Sequence, residues 1–197
     1  MFSPRLGAFL LFIASFASVS AQKQEFEMFL SGKKIGTLST DRKVKGDVEM
    51  YTLTSTASAQ ILWKDISTLT TYSIVFKGGN LSESYYEHKE NGEVEKYCKI
   101  SPAAAGYAVH HWKKGKFNVA SVADFCLISI YYNEPNDGQK LFNEGWGEFT
   151  TIKKTDTHEY EFKAPDGNKN IYRYSGGKIS EAEFHSTLVT VKMKRKY

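Results

Sequence analysis

Apolar and polar residues alternate along most of this chain, the two-residue period of strands that bury one face. Ile66, Thr68, Thr70, Tyr72, Ile74 and Phe76 share one parity within the long β-rich run from Ile61 to Lys77. Tyr160 and Phe162 fall on one face, with Glu159, Glu161 and Lys163 on the other. Turn chemistry separates the runs. Gly46-Asp47, Gly78-Gly79-Asn80, Asn91-Gly92, Lys114-Gly115-Lys116, Pro165-Asp166-Gly167-Asn168 and Ser175-Gly176-Gly177 supply residues that accept positive φ or arrive with φ already set. Asn91-Gly92 is the strongest hairpin signal among them. Glycines on both sides of Trp146 predict a bulge or a sharp bend between two short strands, Lys140 to Phe142 and Phe149 to Lys153.

One stretch breaks the alternation. From Ser121 onward, Val122, Phe125, Cys126, Leu127, Ile128, Ile130 and Tyr131 leave almost no polar face. Ser121 followed three residues later by Asp124 reads as a helix start, and Pro135 forbids continuation. The pattern predicts a short helix over residues 121–134. A helix apolar nearly all round must be covered by other parts of the fold. Strands joined by tight turns lie side by side, and about ten of them do not stay flat and open. The expected fold is therefore mainly β: a strongly curved antiparallel sheet or incomplete β-barrel of about ten strands enclosing one short helix. No repeat, low-complexity tract or linker interrupts residues 22–197, which read as a single β-rich domain.

The N-terminus adds a compartment. Met1 to Arg5 carries one positive charge, Leu6 to Val19 is apolar, and Val19-Ser20-Ala21 places small residues at a cleavage site. This is the pattern of a secretory signal peptide over residues 1–21, cut after Ala21. The apolar run is short for a membrane span, and no second one follows, so the mature chain is expected in the periplasm or outside the cell with no transmembrane segment. A net charge of +4 spread over many strands gives no reason to expect a nucleic-acid partner. Export to an oxidising compartment gives the two cysteines, Cys98 and Cys126, two readings: a structural disulfide or two buried thiols.

Catalytic signatures are missing from the sequence. There is no nucleophile elbow, no His-Glu-x-x-His, no phosphate loop and no dinucleotide fingerprint. His110 and His111 are neighbours on a strand, point to opposite faces and so do not share a metal; no cofactor or metal site is expected. The aromatic residues are numerous enough to fill a core, and also to line an apolar groove between the sheet and the helix. Trp63, Trp112, Phe125, Tyr131 and Trp146 are the candidates for that groove.

The opening Phe26-Glu-Met-Phe-Leu-Ser-Gly-Lys-Lys-Ile-Gly36 resembles the first hairpin of exported bacterial families of unknown function. The capped apolar segment after a hairpin resembles them too. So does the closing pattern of Tyr160 and Phe162, Pro165-Asp166-Gly167, Ile171-Tyr172, Tyr174 and Gly177. Those families are similar in outline to periplasmic curved-sheet proteins that carry lipids or lipoproteins. The resemblance implies a binding or scaffolding role for a hydrophobic small molecule or an envelope protein, and it brings no catalytic residues. The expected function is a non-enzymatic envelope protein. The alternatives are a hydrolase-type enzyme with a dispersed site, and a structural partner that pairs with another protein through a sheet edge.

Overall fold

The computed structural model describes residues 20–196; the predicted signal peptide lies outside the described residues except for Ser20 and Ala21. Fifteen strands run in chain order. The first eight are β1 (Ser20–Leu30), β2 (Lys33–Lys45), β3 (Val48–Ile61), β4 (Lys64–Lys77), β5 (Asn80–Glu90), β6 (Glu93–Ala103), β7 (Gly106–His111) and β8 (Gly115–Val119). The rest are β9 (Lys140–Asn143), β10 (Glu148–Thr151), β11 (Lys153–Asp156), β12 (Glu159–Lys163), β13 (Lys169–Ser175), β14 (Lys178–His185) and β15 (Thr190–Arg195).

Thirteen of them form one antiparallel sheet in the order β11-β12-β13-β14-β15-β1-β2-β3-β4-β5-β6-β7-β8. The sheet is a meander that starts in the middle: β1 pairs with β15, with Phe26 opposite Arg195 and Leu30 opposite Val191. Its two edges are β11 and β8, so it is strongly curved without closing into a barrel. Register shifts in β1, β4, β5 and β13 mark bulges that sharpen the bend.

The concave face carries the core. Ile74, Phe76, Tyr160 and Phe162 are buried on the parity that the alternation predicted, and Phe26, Leu38, Leu53, Ile100, Val109, Tyr172 and Met193 are buried with them. The 33 residues between the two edges, 120–152, do not run around the outside. They pass through the hollow of the sheet and pack into the core it encloses. Ala123, Cys126, Ile128, Ile130, Tyr131, Leu141, Phe142 and Ile152 are all buried on this crossing segment.

The predicted helix shortens to one five-residue 3-10 turn, Leu127–Tyr131. Residues 121–126 are irregular, with bends at Ser121, Asp124 and Phe125, because strands claim their backbone. Leu81 N–H donates to Ala123 O at 2.7 Å, and Phe142 N–H donates to Phe125 O at 3.0 Å. The turn begins at Cys126 rather than Ser121, with Cys126 N–H donating to Ser129 Oγ at 3.1 Å. Val122, Phe125, Ile128, Ile130 and Tyr131 are β-branched or aromatic, so little helix propensity opposed this outcome.

Tyr107 fastens the start of the crossing segment. Its hydroxyl donates to Leu81 O and accepts from Ala123 N–H, each at 2.9 Å, out of contact with water. Tyr107→Phe leaves both partners unpaired and is expected to lower stability by about 2 kcal/mol, read as a lower urea midpoint at unchanged m-value.

Candidate functional site

The crossing segment leaves a cavity of about 390 Å³ between itself and the concave face. Its floor comes from Leu127, Ile128 and Tyr131 of the 3-10 turn and from Asn143, Gly145 and Trp146 after β9. The sheet contributes Met28, Leu38, Leu53, Tyr72, Tyr86 and Tyr172 to the walls. Lys96, Trp112, Asp166, Asn168, His185 and Ser186 are among the lining residues on or near the hairpin tips. Antiparallel pairing puts the β1–β2, β3–β4, β5–β6, β7–β8, β12–β13 and β14–β15 tips at one end of the sheet, so the cavity opens at that end.

Aromatic contacts shape the walls. Tyr72 and Tyr86 lie 4.7 Å apart between ring centroids. His111 stacks on Trp146 at 5.0 Å and meets Trp112 at 5.7 Å. Lys96 sits over the Trp112 ring, and Lys114 over that of Trp146. Gly145 is small for a reason: a Cβ there would come within 3.1 Å of the Tyr72 hydroxyl.

Three of the five aromatic residues expected to line a groove do so: Trp112, Tyr131 and Trp146. Phe125 packs half-buried against the core and does not reach the cavity. Trp63 stands at the β3–β4 tip, 78% exposed beside Leu62 at 72%. That tip shares the open end with Leu188, which is 75% exposed between β14 and β15. Leu188 therefore sits beside the lining residues Ser186 and Val189, whereas Leu62 and Trp63 stand on a hairpin tip well beyond Thr70, the outermost lining residue of β4.

Behind the floor lies Glu144, a fully buried carboxylate that the sequence disguises as an ordinary turn acid before glycine. Its Oε2 accepts Leu127 N–H at 2.8 Å, and its Oε1 accepts Ile128 N–H at 3.1 Å. It therefore holds the first turn of the 3-10 segment against the β9–β10 bend. Burial pushes its carboxyl up to about 7, against the opposing pull of its backbone N–H donors. Burial, with the Glu144 charge adding to it, also holds the Tyr72, Tyr131 and Tyr172 hydroxyls above the ordinary tyrosine range.

His110 is exposed and His111 buried, on opposite faces as a strand requires. His111 Nδ1 accepts N–H groups from Lys113 and Lys114, so the ring proton sits on Nε2, which has no partner among the described residues. Burial holds its pKa below the usual range, which keeps the ring neutral. Cys98 and Cys126 are fully buried and both thiols are free. Burial pushes Cys98 up to about 12 and Cys126 well above the ordinary thiol value, so neither is a ready nucleophile. Among the described residues, no group of three or more His, Cys, Asp or Glu is placed to hold a metal ion. Among them, too, no helix is long and apolar enough to cross a membrane.

The fold has a solved counterpart. A β-barrel-like protein of a domain of unknown function, DUF1849, from Brucella abortus superposes with a TM-score of 0.58 at 7% identity, covering 92% of this chain and 98% of its own. A DUF1089 family protein from Pseudomonas aeruginosa gives a TM-score of 0.38 at 11% identity, over 89% and 95% of the two chains. No curated protein matches this chain. Residues 26–196 match the profile of the domain of unknown function DUF6134, and the chain belongs to that family.

Proposed function

We propose that this protein is an exported, non-enzymatic binding protein of the cell envelope that takes up an apolar small molecule in the hollow of its sheet. The observation that carries this reading is the aromatic-walled cavity of about 390 Å³, open at one end, between the concave face and the crossing segment. That volume lies within the range of small-molecule sites, and mostly apolar walls with a few polar groups are their usual chemistry. The exposed Leu188, between the lining residues Ser186 and Val189, gives an apolar ligand a surface to meet on its way in. The resemblance to curved-sheet carriers and the secretory pattern at the N-terminus agree with this role. Strand addition at an edge is disfavoured, since β11 carries Lys153 and Lys154 and β8 carries Lys116, charges that discourage pairing.

Titration with the uncharged probe N-phenyl-1-naphthylamine tests the reading. Saturable binding of one probe per chain is expected, with quenching of tryptophan emission. Trp63→Phe should leave the quenching in place, and Trp112→Phe combined with Trp146→Phe should remove most of it. Non-saturable partitioning, or a signal carried by Trp63, would contradict a ligand site in the cavity.

A further inference from the structure

Tyr72, Tyr86, Tyr131 and Tyr172 all line the cavity, and none of their hydroxyls has a hydrogen-bond partner among the described residues. Every other tyrosine among the described residues has one. Tyr51 donates to Glu49, Tyr85 to Glu87, Tyr107 to Leu81 O, Tyr132 to Thr40, Tyr160 to Glu134 and Tyr174 to Ile130 O, while Tyr97 pairs with His110. The contrast is sharpest at Tyr131 and Tyr172, which are only 4% and 2% exposed. Buried phenols in folded proteins ordinarily find a partner, because leaving a hydroxyl unpaired away from water is unfavourable. These four oxygens are not among the fully enclosed unpaired atoms either, so they keep open surface, at the wall of the cavity they line.

Resting on the cavity's role as a ligand site, we infer that these tyrosines recognise the polar end of the ligand, and that this end is an uncharged oxygen such as an alcohol, ester or ketone. A phenol offers one donor and an acceptor, which suits a hydroxyl or carbonyl oxygen. The sign of nearby charge selects against a carboxylate. Glu144 lies behind the floor with its carboxylate already satisfied by two backbone N–H groups, and a second anion beside it would be repelled. Lys96 and Asp166 line the cavity with opposite charges, so they give no net preference for an anionic head. The aromatic rings and the side chains of Met28, Leu38 and Leu53 take the apolar remainder of the ligand.

Calorimetric titration with dodecanol and with dodecanoate at mildly alkaline pH separates the outcomes. Wild type is expected to bind dodecanol and to bind dodecanoate at least about tenfold more weakly, as one charge-assisted mismatch implies. Tyr131→Phe and Tyr172→Phe should each weaken dodecanol binding about five- to tenfold, the size of one lost hydrogen bond. Their unfolding midpoints should stay at or above wild type, since no protein partner is orphaned. Tyr174→Phe, whose hydroxyl serves Ile130 O, should lower the midpoint instead. Unchanged dodecanol affinity in the Tyr131→Phe, Tyr172→Phe double variant would overturn hydroxyl recognition while leaving a ligand cavity standing. Preferential binding of dodecanoate that Lys96→Ala abolishes would do the same, by moving the polar end to the lysine. Failure of wild type to bind either probe would remove the ligand site itself and this inference with it.

Discussion

Glu144→Ala is expected to destabilise the protein by about 4 kcal/mol, measured by urea unfolding at neutral pH. Two effects add. The Leu127 and Ile128 N–H groups lose their acceptors at 2.8 and 3.1 Å in a site that excludes water. The fully buried side chain also leaves a void that the rigid sheet fills poorly. The same carboxylate should give the wild type an unusual pH profile. Its folded pKa is raised from 4.5 to about 7, so the folded state holds the proton more tightly than the unfolded chain. The stability contributed by that proton is fully present below the unfolded value and is lost as the pH rises through the folded one. Between about pH 5 and 8 this group alone lowers stability by about 3 kcal/mol. Glu144→Gln keeps the shape of the protonated acid, with one acceptor oxygen and one donor arm, and should flatten that slope. A profile of the variant as steep as that of the wild type would mean that another group titrates.

The other large effect is expected at Gly36. Strand β2 passes β3 so closely there that a Cβ would lie 1.9 Å from Thr56 O and 2.7 Å from the Ala57 Cα. Both neighbours are backbone and cannot rotate away. The position also faces the register shift between Met28 and Phe29 on β1, where the sheet already bends. Gly36→Ala should therefore cost at least about 3 kcal/mol, the upper end of overpacking effects, and should separate β2 from β3 in hydrogen exchange. Gly32, in the adjoining turn, has open space around its Cβ position. Its φ of +81° makes Gly32→Ala a strain effect of only about 1 kcal/mol, so comparing the two separates crowding from conformation.

Much of the architecture follows from short-range chemistry. The turns at Gly46-Asp47, Gly78-Gly79, Asn91-Gly92 and Gly176-Gly177 carry the positive φ that their residues accept, and the strands between them bury the expected parity. The reversal at Leu62-Trp63 carries no turn residue: Leu62 takes φ +59° without glycine or asparagine to announce it, so the run read as starting at Ile61 took in the last residue of β3 and the turn itself. The turn between β14 and β15 likewise lacks glycine and is tied instead by Ser186 Oγ donating to Val189 O. The apolar stretch around Cys126 was correctly marked for the interior, but its conformation was decided by strands that lie far away in sequence. Its backbone bonds go to Leu81 and Phe142, and one-dimensional periodicity cannot register such partners.

The candidate site shows the same division. Trp112, Tyr131 and Trp146 stood out by composition, yet the hollow depends on which strands face one another across the curve. Tyr72, Tyr86 and Tyr172 are indistinguishable from core aromatics in sequence; only their unpaired hydroxyls set them apart. Nothing in the turn sequence before Gly145 marks Glu144 as buried, and its burial emerges only when that turn is folded back under the 3-10 segment.

A crystal structure of the protein grown with dodecanol tests the central claim most directly. Density for one alcohol should fill the cavity, with its oxygen within hydrogen-bonding distance of the Tyr131 or Tyr172 hydroxyl and its chain against Met28, Leu38 and Leu53. A hollow closed by the protein's own side chains, with those hydroxyls bonded to protein atoms, would contradict it.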